Sequence, residues 1–433
     1  MNNKVVTRFA PSPTGYLHAG NYRTALFAYI FAKQNSGKFI LRIEDTDKAR
    51  SKKEYEDNIV DSLKWLNLSY DDFYRQSDRA DIHKAYIKKL IDSGHAYISK
   101  ETPKEVGDRE EVIRFKNPNK KVTFKDLIRG EITFDTTELK DFVIARSMEE
   151  PVFHLVVVVD DFEMGVTHVI RGEDHISNTP RHILIQEALG IPVPLYAHIP
   201  LLLALDRSKM SKRKGALPIT EYRERGYLPE AVVNYMALLG WNPGTDQEIL
   251  SMDDMISLFS LEKVQKAGAI FSEEKLSWVN RQYLDKLSIE EFQTKGQKFI
   301  PENTPLNLLP LIKEKVNCFS EIKTVLDTEL SFVNPLPSYD IQLLKWKQEP
   351  DLVNTKIYLK SIIDILSNLT DFSKESVKNA IWPLAESKGK GNVLWPMRFS
   401  LSGKEKSPDP FIISEILGKE ETIKRLTFAY ELL

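Results

Sequence analysis

From Val5 to Ala10 apolar residues form a short β-run that stops at Pro11 and Pro13, which cannot donate to a strand ladder. The next segment, Gly20 to Gln34, is apolar almost all round (Ala25, Leu26, Phe27, Tyr29, Ile30, Phe31), the pattern of a buried helix, and Asn35, Ser36 and Gly37 supply its stop. Lys38 to Ile43 is a second β-run. Strand, loop, helix and strand in that order make a βαβ unit and predict a parallel sheet with a right-handed crossover. Val156 to Val159, Thr167 to Ile170 and Ala197 to Leu202 predict further strands, with a helix over Pro180 to Leu189. Between about Tyr97 and Asp161 the runs are short and alternating, as at Val112 to Phe115 and Phe142 to Ala145, so the sheet is expected to be split by an α+β insertion.

Beyond about Asp206 the strand signal fades. Pro229 to Leu239, Leu261 to Lys266, Lys356 to Leu366 and Ser373 to Ile381 predict amphipathic helices. The expected fold is α/β: a Rossmann-type parallel sheet in two halves, 1–95 and 161–205, interrupted by an insertion over 96–160. A connecting region over 206–288 and a mostly α-helical region over 289–433 follow. There is no repeat of fixed period and no long low-complexity tract.

Composition narrows the class without naming a partner. The 433 residues are 42% hydrophobic and 28% charged, ordinary globular usage that argues against a disordered or fibrous chain. The longest apolar runs, Leu155 to Val159 and Ile199 to Leu205, fall far short of the roughly 20 residues that cross a bilayer, so no transmembrane segment is expected. The N-terminal stretch lacks the apolar core of a secretory signal, and the lone Cys318 cannot form an internal disulfide. Together these point to the cytoplasm. Sixty basic and 62 acidic side chains give a net charge of -2, so any nucleic-acid site must be a local patch. Arg207 to Lys214 (RSKMSKRK) is such a patch, with five cations and no anion, and all eight histidines lie at or before His198.

Two segments carry candidate chemistry. The loop after the first strand reads PSPTGYLHAGN, with His18 and Gly20 at the mouth of the first helix. Backbone N–H groups and the positive helix end favour a polyphosphate there, glycine allows close approach, and histidine can donate to phosphate oxygens. Read alone, the same residues equally suit a turn and a helix cap. In KMSKR, Lys209 to Arg213, two lysines flank a small hydroxyl residue, which suits a loop that offers charge to a reacting phosphate. Alone it also suits a solvated basic run or a nucleic-acid contact. Both motifs, in this order around a doubly wound sheet, favour the nucleotide reading.

HAGN and KMSKR resemble the HIGH and KMSKS motifs of the class I aminoacyl-tRNA synthetases. RFAPSPTGYLHAG, FILRIEDTDKAR, VVVDDFEMGVTHVIRGEDH and the stretch through SKRKGA are similar to glutamyl-tRNA synthetase, and LWPMRFSLSGKEKSPDP with LGKEETIKRL resembles the bacterial enzyme's helical anticodon-binding region. The resemblance covers nearly the whole chain. It implies ATP with Mg2+, L-glutamate and tRNA(Glu) as substrates and cofactor, a monomer, an acceptor-stem-binding insertion, a stem-contact region carrying the KMSKR loop, and an anticodon-binding C-terminal region. It further implies His18, Lys209 and Lys212 as catalytic residues, with Ser12, Gly20, Asn21, Asp174, His175 and Ser211 joining them around ATP. For glutamate it implies Arg8, Ser12, Glu44, Phe153 and Arg171. Two guanidinium groups and one carboxylate complement a substrate with two carboxylates and one ammonium. Arg8 is expected to be the main selector of glutamate over glutamine.

Three departures from the family pattern change the expectations. The last histidine of HIGH is Asn21, which offers an amide instead of an imidazole. Phe153 stands where many members have a tyrosine, so no hydroxyl can be donated there. The insertion runs HAYISKETPKEV without a cysteine, so no structural zinc and no protein-held metal are expected. The rival readings are a non-discriminating enzyme that also charges tRNA(Gln), a glutaminyl enzyme, a tRNA-base-modifying relative, a small-molecule nucleotidyltransferase and a non-catalytic tRNA-binding paralogue. The base-modifying relative and the nucleotidyltransferase have no need of the C-terminal helices, and intact His18, Lys209 and Lys212 argue against the non-catalytic paralogue.

Overall fold

A computed structural model describes residues 4–101, 110–210, 217–333 and 338–433. The chain divides into two compact units, 1–283 and 284–433.

The first unit opens with β1 (Val6–Phe9), α1 (Ala19–Gln34), β2 (Lys38–Ile43), α2 (Lys53–Trp65), β3 (Asp72–Arg75) and α3 (Ala80–Asp92). β4 (Ala96–Lys100), β5 (Glu111–Phe115), β6 (Lys121–Asp126), β7 (Gly130–Asp135), β8 (Phe142–Ser147) and β9 (Glu150–Pro151) follow. Then come α4 (Phe153–Glu163), β10 (His168–Gly172), α5 (Thr179–Leu189), β11 (Leu195–Ile199) and β12 (Leu202–Leu203). α6 (Ile219–Glu224), α7 (Pro229–Leu238), α8 (Met252–Leu258), β13 (Ala269–Ile270) and α9 (Glu273–Lys286) complete it, the division between the units falling inside α9.

β3, β2 and β1 pair in parallel, as do β10 and β11. Thr167 N–H donates to Val6 O at 3.0 Å and Val6 N–H to the Thr167 hydroxyl at 2.9 Å, which stitches β1 to the start of β10. The strand order is therefore β3-β2-β1-β10-β11, with the reversal between β1 and β10. That is the switch point where a doubly wound sheet opens a crevice at its carboxyl ends. The predicted βαβ unit is present with α1 buried nearly all round, as its apolar pattern requires.

The inserted stretch has two parts. β4, β5, β8 and β9 form an antiparallel sheet, whereas β6 pairs in parallel with β11 at Asp126 and Tyr196 and carries β7 as an antiparallel partner. The insertion thus shares the main sheet.

Three predicted elements differ. Ala197 to Leu202 is not one strand: β11 ends at Ile199, and after Pro200 and Leu201 the chain enters β12, which pairs with β13. Val156 to Val159 is a turn and more of α4, not a strand. β-Branched residues favour strands only weakly, and a short apolar run buried on every side has no period to separate strand from helix. Leu155 through Asp161 are all buried, so tertiary packing decides. Leu261 to Lys266 is helical only as a 3-10 turn at Leu261–Lys263, because Val264 is extended and bridges Trp241.

The second unit is helical among its described residues: α10 (Ile289–Gly296), α11 (Leu309–Lys315), α12 (Glu321–Asp327), α13 (Val353–Ser367), α14 (Lys374–Lys388), α15 (Lys390–Ser402) and α16 (Pro410–Leu432). Phe292, Phe332, Leu359, Ile381, Met397, Phe399 and Leu426 are buried in it. Arg425 is buried beside them, and its Nη1 donates to Phe332 O at 2.6 Å and Leu401 O at 2.8 Å, tying the last helix to two earlier segments. No helix of the described residues is long and apolar enough to cross a membrane.

Candidate active site

At the carboxyl ends of β1 and β10 lies a cavity of about 430 Å³. Arg8, Ser12, His18, Gly20, Asn21, Glu44, Phe153, Arg171, Asp174, His175 and Lys209 all line it. Every site residue expected from the sequence is thereby brought together except Ser211 and Lys212, which lie outside the described residues.

Local structure explains the convergence. Pro11 and Pro13 end β1 without ladder donors, and the loop they start is tied down through its carbonyls: Glu44 N–H donates to Pro11 O at 2.9 Å and Lys52 N–H to Pro13 O at 3.0 Å. His18 has extended backbone at the N-cap of α1, so the first N–H groups of that helix open beside Gly20 and Asn21. The flanks of the two motifs meet where Ile219 N–H donates to Leu17 O at 2.8 Å, and Lys209 Nζ donates to Asp174 Oδ2 at 3.2 Å beyond the end of β10. Gly172 lets Asp174 fold back, since a Cβ there would stand 2.6 Å from its Oδ1.

The floor is a buried charge cluster that sequence reasoning largely missed. Asp161 Oδ1 accepts from Arg8 Nε at 3.1 Å and from Arg42 Nη1 at 2.7 Å, and Glu44 accepts from Arg42 Nη2 at 3.1 Å. Burial would raise the Asp161 carboxyl, but Arg8 and Arg42 outweigh it and hold the group below its ordinary range. Burial raises Glu44, with Arg42 offsetting only part. Arg42 stays charged because Asp161 and Glu44 more than repay its desolvation. The signal for Arg42 was available: a lone arginine inside the apolar run FILRI must be paired if the strand is central.

Arg171 differs. Its Nε donates to His198 Nε2 at 3.1 Å and its Nη2 to the Thr179 hydroxyl at 2.8 Å and His175 O at 3.4 Å, while Nη1 lies 3.2 Å from His182 Nδ1. All four partners are neutral. Burial pulls this guanidinium down to about 10, which still leaves it charged at neutral pH. His182 Nε2 lies 3.2 Å from His154 Nδ1, and Phe153 packs edge-on against His182 at 5.6 Å between ring centroids. Burial, reinforced by arginines, lowers His154 and His175 to about 4 each, so the histidines around Phe153 are uncharged.

Among the described residues no group of three or more His, Cys, Asp or Glu could hold a metal ion. The pocket can take a polyphosphate at the α1 end and an anionic amino acid over the arginines.

A split parallel sheet whose switch-point cavity gathers the helix-mouth residues and Lys209 is the arrangement of a class I aminoacyl-tRNA synthetase catalytic domain. Comparison with known proteins is specific. Residues 4–111 and 103–278 match the family model for tRNA synthetases class I (E and Q), catalytic domain, and residues 262–430 match an anticodon binding domain. A glutamate–tRNA ligase of Aquifex aeolicus is 51% identical over 317 residues, 65% of this chain and 67% of that protein. One of Thermodesulfovibrio yellowstonii is 39% identical over 465 aligned positions, covering 98% of both chains. A crystal structure of a glutamate tRNA ligase from Elizabethkingia meningosepticum in complex with its amino acid superposes with a TM-score of 0.89 at 36% identity, covering 99% of this chain and 100% of that one. The chain belongs to the glutamate–tRNA ligase family, whose members are ATP-using aminoacyl-tRNA ligases.

Proposed function

We propose that this chain activates L-glutamate with ATP and transfers the glutamyl group to the 3'-terminal adenosine of tRNA(Glu), using the cavity between β1 and β10. In the first step an α-carboxylate oxygen of glutamate attacks the α-phosphorus, the bond to the bridging oxygen breaks, and pyrophosphate leaves. In the second a terminal ribose hydroxyl attacks the glutamyl carbonyl, loses its proton, and AMP leaves. Neither step requires a covalent enzyme nucleophile, so positioning and charge carry the catalysis.

We assign Arg8, Arg171, Ser12 and Glu44 to glutamate, with Phe153 as an apolar wall. His18, Gly20, Asn21, Asp174, His175 and Lys209 take ATP together with Ser211 and Lys212, and His18, Lys209 and Lys212 offset charge on the reacting phosphates. The observation that carries this reading is the charge inventory. Arg8 and Arg42 are balanced by Asp161 and Glu44, while two buried cations that line the cavity are bonded to neutral groups: Arg171 beside Phe153 and His175, and Arg23 of α1, which donates to Leu239 O and Pro200 O. Glutamate carries one net negative charge and glutamine none. Mg2+ fits as an ion arriving on the ATP phosphates, which supply hard oxygen ligands where the described residues supply no cluster. Such an ion neutralises the polyphosphate. A cysteine-free insertion argues against structural zinc.

We further assign the insertion over 96–160 to the acceptor stem, 206–288 to the stem contact and 289–433 to the anticodon, and expect a cytoplasmic monomer. Charging of purified tRNA(Glu) and tRNA(Gln) with labelled glutamate and glutamine in parallel is the test. Glutamate on tRNA(Glu) alone is expected, glutamate on both tRNAs defines a non-discriminating enzyme, and charging with neither amino acid overturns the proposal.

A further inference from the structure

β10, β11 and β6 lie side by side, with Arg171 opposite His198 and Tyr196 opposite Asp126. A row of hydrogen bonds crosses these three strands. Asp126 Oδ1 accepts from the N–H groups of Ile128 and Arg129 at 2.9 Å each. Its Oδ2 accepts from the His198 N–H at 3.1 Å and lies 2.7 Å from His198 Nδ1. Those four bonds hold the carboxyl below its ordinary range although burial alone would raise it. An ionised carboxylate only accepts, so the proton of the neutral imidazole sits on Nδ1. Nε2 is then bare and receives the Nε–H of Arg171 at 3.1 Å, with the Thr179 hydroxyl also 3.2 Å away. Burial keeps His198 below its ordinary value against the pull of Asp126, with Arg171 adding to the depression, so the neutral ring is the form present. The Tyr196 ring lies 5.3 Å from the Arg171 guanidinium carbon and stacks on His198 at 6.0 Å.

We propose that Asp126 and His198 are positioning residues for amino-acid recognition: Asp126 selects the His198 tautomer, and that tautomer sets the orientation of the Arg171 guanidinium toward the substrate carboxylate. The inference rests on Arg171 as a glutamate ligand. Asp126 is 1% exposed and His198 0%, and neither lines the cavity, so both act only through Arg171. Packing alone does not call for them, because apolar residues fill a sheet interior without the desolvation cost of a carboxylate. What the polar row adds is direction. Four of the five guanidinium N–H groups are accounted for by His198, His182, Thr179 and His175, which aims the remaining Nη1 proton. With the proton on Nε2 instead, that proton would face the Arg171 Nε–H and compete with Arg171 Nη2 for the Thr179 hydroxyl oxygen, so the fork would lose its present anchoring. Asp126 belongs to the 96–160 insertion, so a residue outside the nucleotide-binding halves sets the geometry of the amino-acid pocket.

The test measures steady-state charging of tRNA(Glu) by the full chain. Asp126→Asn puts an amide donor against His198 and is expected to raise KM for glutamate about tenfold or more, with KM for ATP changed less than about twofold. His198→Gln keeps a donor toward Asp126 and an acceptor toward Arg171, and is expected to recover most of the glutamate affinity that His198→Leu loses. If Arg171→Gln leaves KM for glutamate unchanged, the underlying reading fails. If Arg171→Gln raises it but a folded Asp126→Asn does not, or raises both KM values alike, the positioning role is overturned while the reading of Arg171 stands. Should Asp126→Asn not fold, the imidazole 15N shifts of wild-type His198 decide: an Nδ1–H ring supports the proposal and an Nε2–H ring overturns it.

Discussion

Replacing Arg171 by glutamine should cost the preference for glutamate more than the same change at Arg8. Arg8 gives its Nε to Asp161, which Arg42 also holds at 2.7 Å, so the charge of Arg8 is already matched before any substrate arrives. The bonds of Arg171 reach only two imidazoles, a hydroxyl and a carbonyl. A carboxylate entering beside Arg171 pairs a buried cation, whereas an amide leaves it unpaired. Leaving one partner of a fully buried pair uncompensated costs about 3–5 kcal/mol. The cavity is open to water on one side, so about 2–3 kcal/mol is the better figure, roughly 30- to 150-fold in discrimination at about 1.4 kcal/mol per decade. The assay is the ratio of kcat/KM for glutamate and glutamine in the charging of tRNA(Glu), for wild type, Arg171→Gln and Arg8→Gln. Arg171→Gln should lower that ratio by the factor above, and Arg8→Gln by less. If Arg8→Gln collapses the ratio while Arg171→Gln keeps it within about twofold of wild type, the charge inventory is not what selects the side chain and the sequence expectation for Arg8 stands.

Lys212→Ala should slow single-turnover formation of the adenylate by about a hundredfold while glutamate affinity changes little, since a charge aimed at the reacting phosphate acts in the transition state; an unchanged activation rate sinks the role. The purified protein should contain no stoichiometric zinc and regain full activity after chelation once Mg2+ is restored, and elemental analysis showing about one zinc per chain would falsify this. Asp160→Asn should destabilise the first unit by about 3 kcal/mol at pH 7, because the buried carboxylate accepts from Arg79 Nε at 2.7 Å and Gln76 Nε2 at 3.1 Å and meets His83 Nε2 at 2.9 Å. Burial would raise this carboxyl, but its partners hold it below its ordinary range, so its contribution is present above the unfolded value near 3.9 and fades as pH falls through the folded one. Urea midpoints of the variant and wild type should therefore converge on acidification, and a gap that widens refutes the assignment.

Where the chain speaks through local pattern, the sequence is enough. Prolines that end β1, the all-round apolar α1 and the β-run before Glu44 define the βαβ unit without reference to anything distant. The cavity residues are legible through the resemblance to a known family, and two of the segments that carry it, HAGN and GEDH, lie at the mouth of α1 and the end of β10, where a doubly wound sheet opens. What fails to show is pairing across sequence distance. Arg42 and Asp161 are 119 residues apart, and nothing local to either announces the other. Asp126 resembles an ordinary turn residue, since it does accept from the N–H groups two and three positions on. Its second role exists only because β6 aligns with β11.

The misread element and the missed cluster share a cause. Taken as a strand, Val156 to Val159 leads into Asp160 and Asp161 as residues on opposite faces of a sheet, one of them in solvent. As the last turns of α4, the same two acids are about 100° apart and both turn inward. Asp160 meets His83 and Arg79 on one side, and Asp161 meets Arg8 and Arg42 on the other. Here the helix lets the adjacent acids reach two arginine-bearing sites at once, and burying two adjacent charges costs too much unless each has such partners. With Asp161 committed to Arg8 and Arg42, the bonds of Arg171 reach only neutral groups, which is why loss of Arg171, more than loss of Arg8, is expected to cost the preference for glutamate.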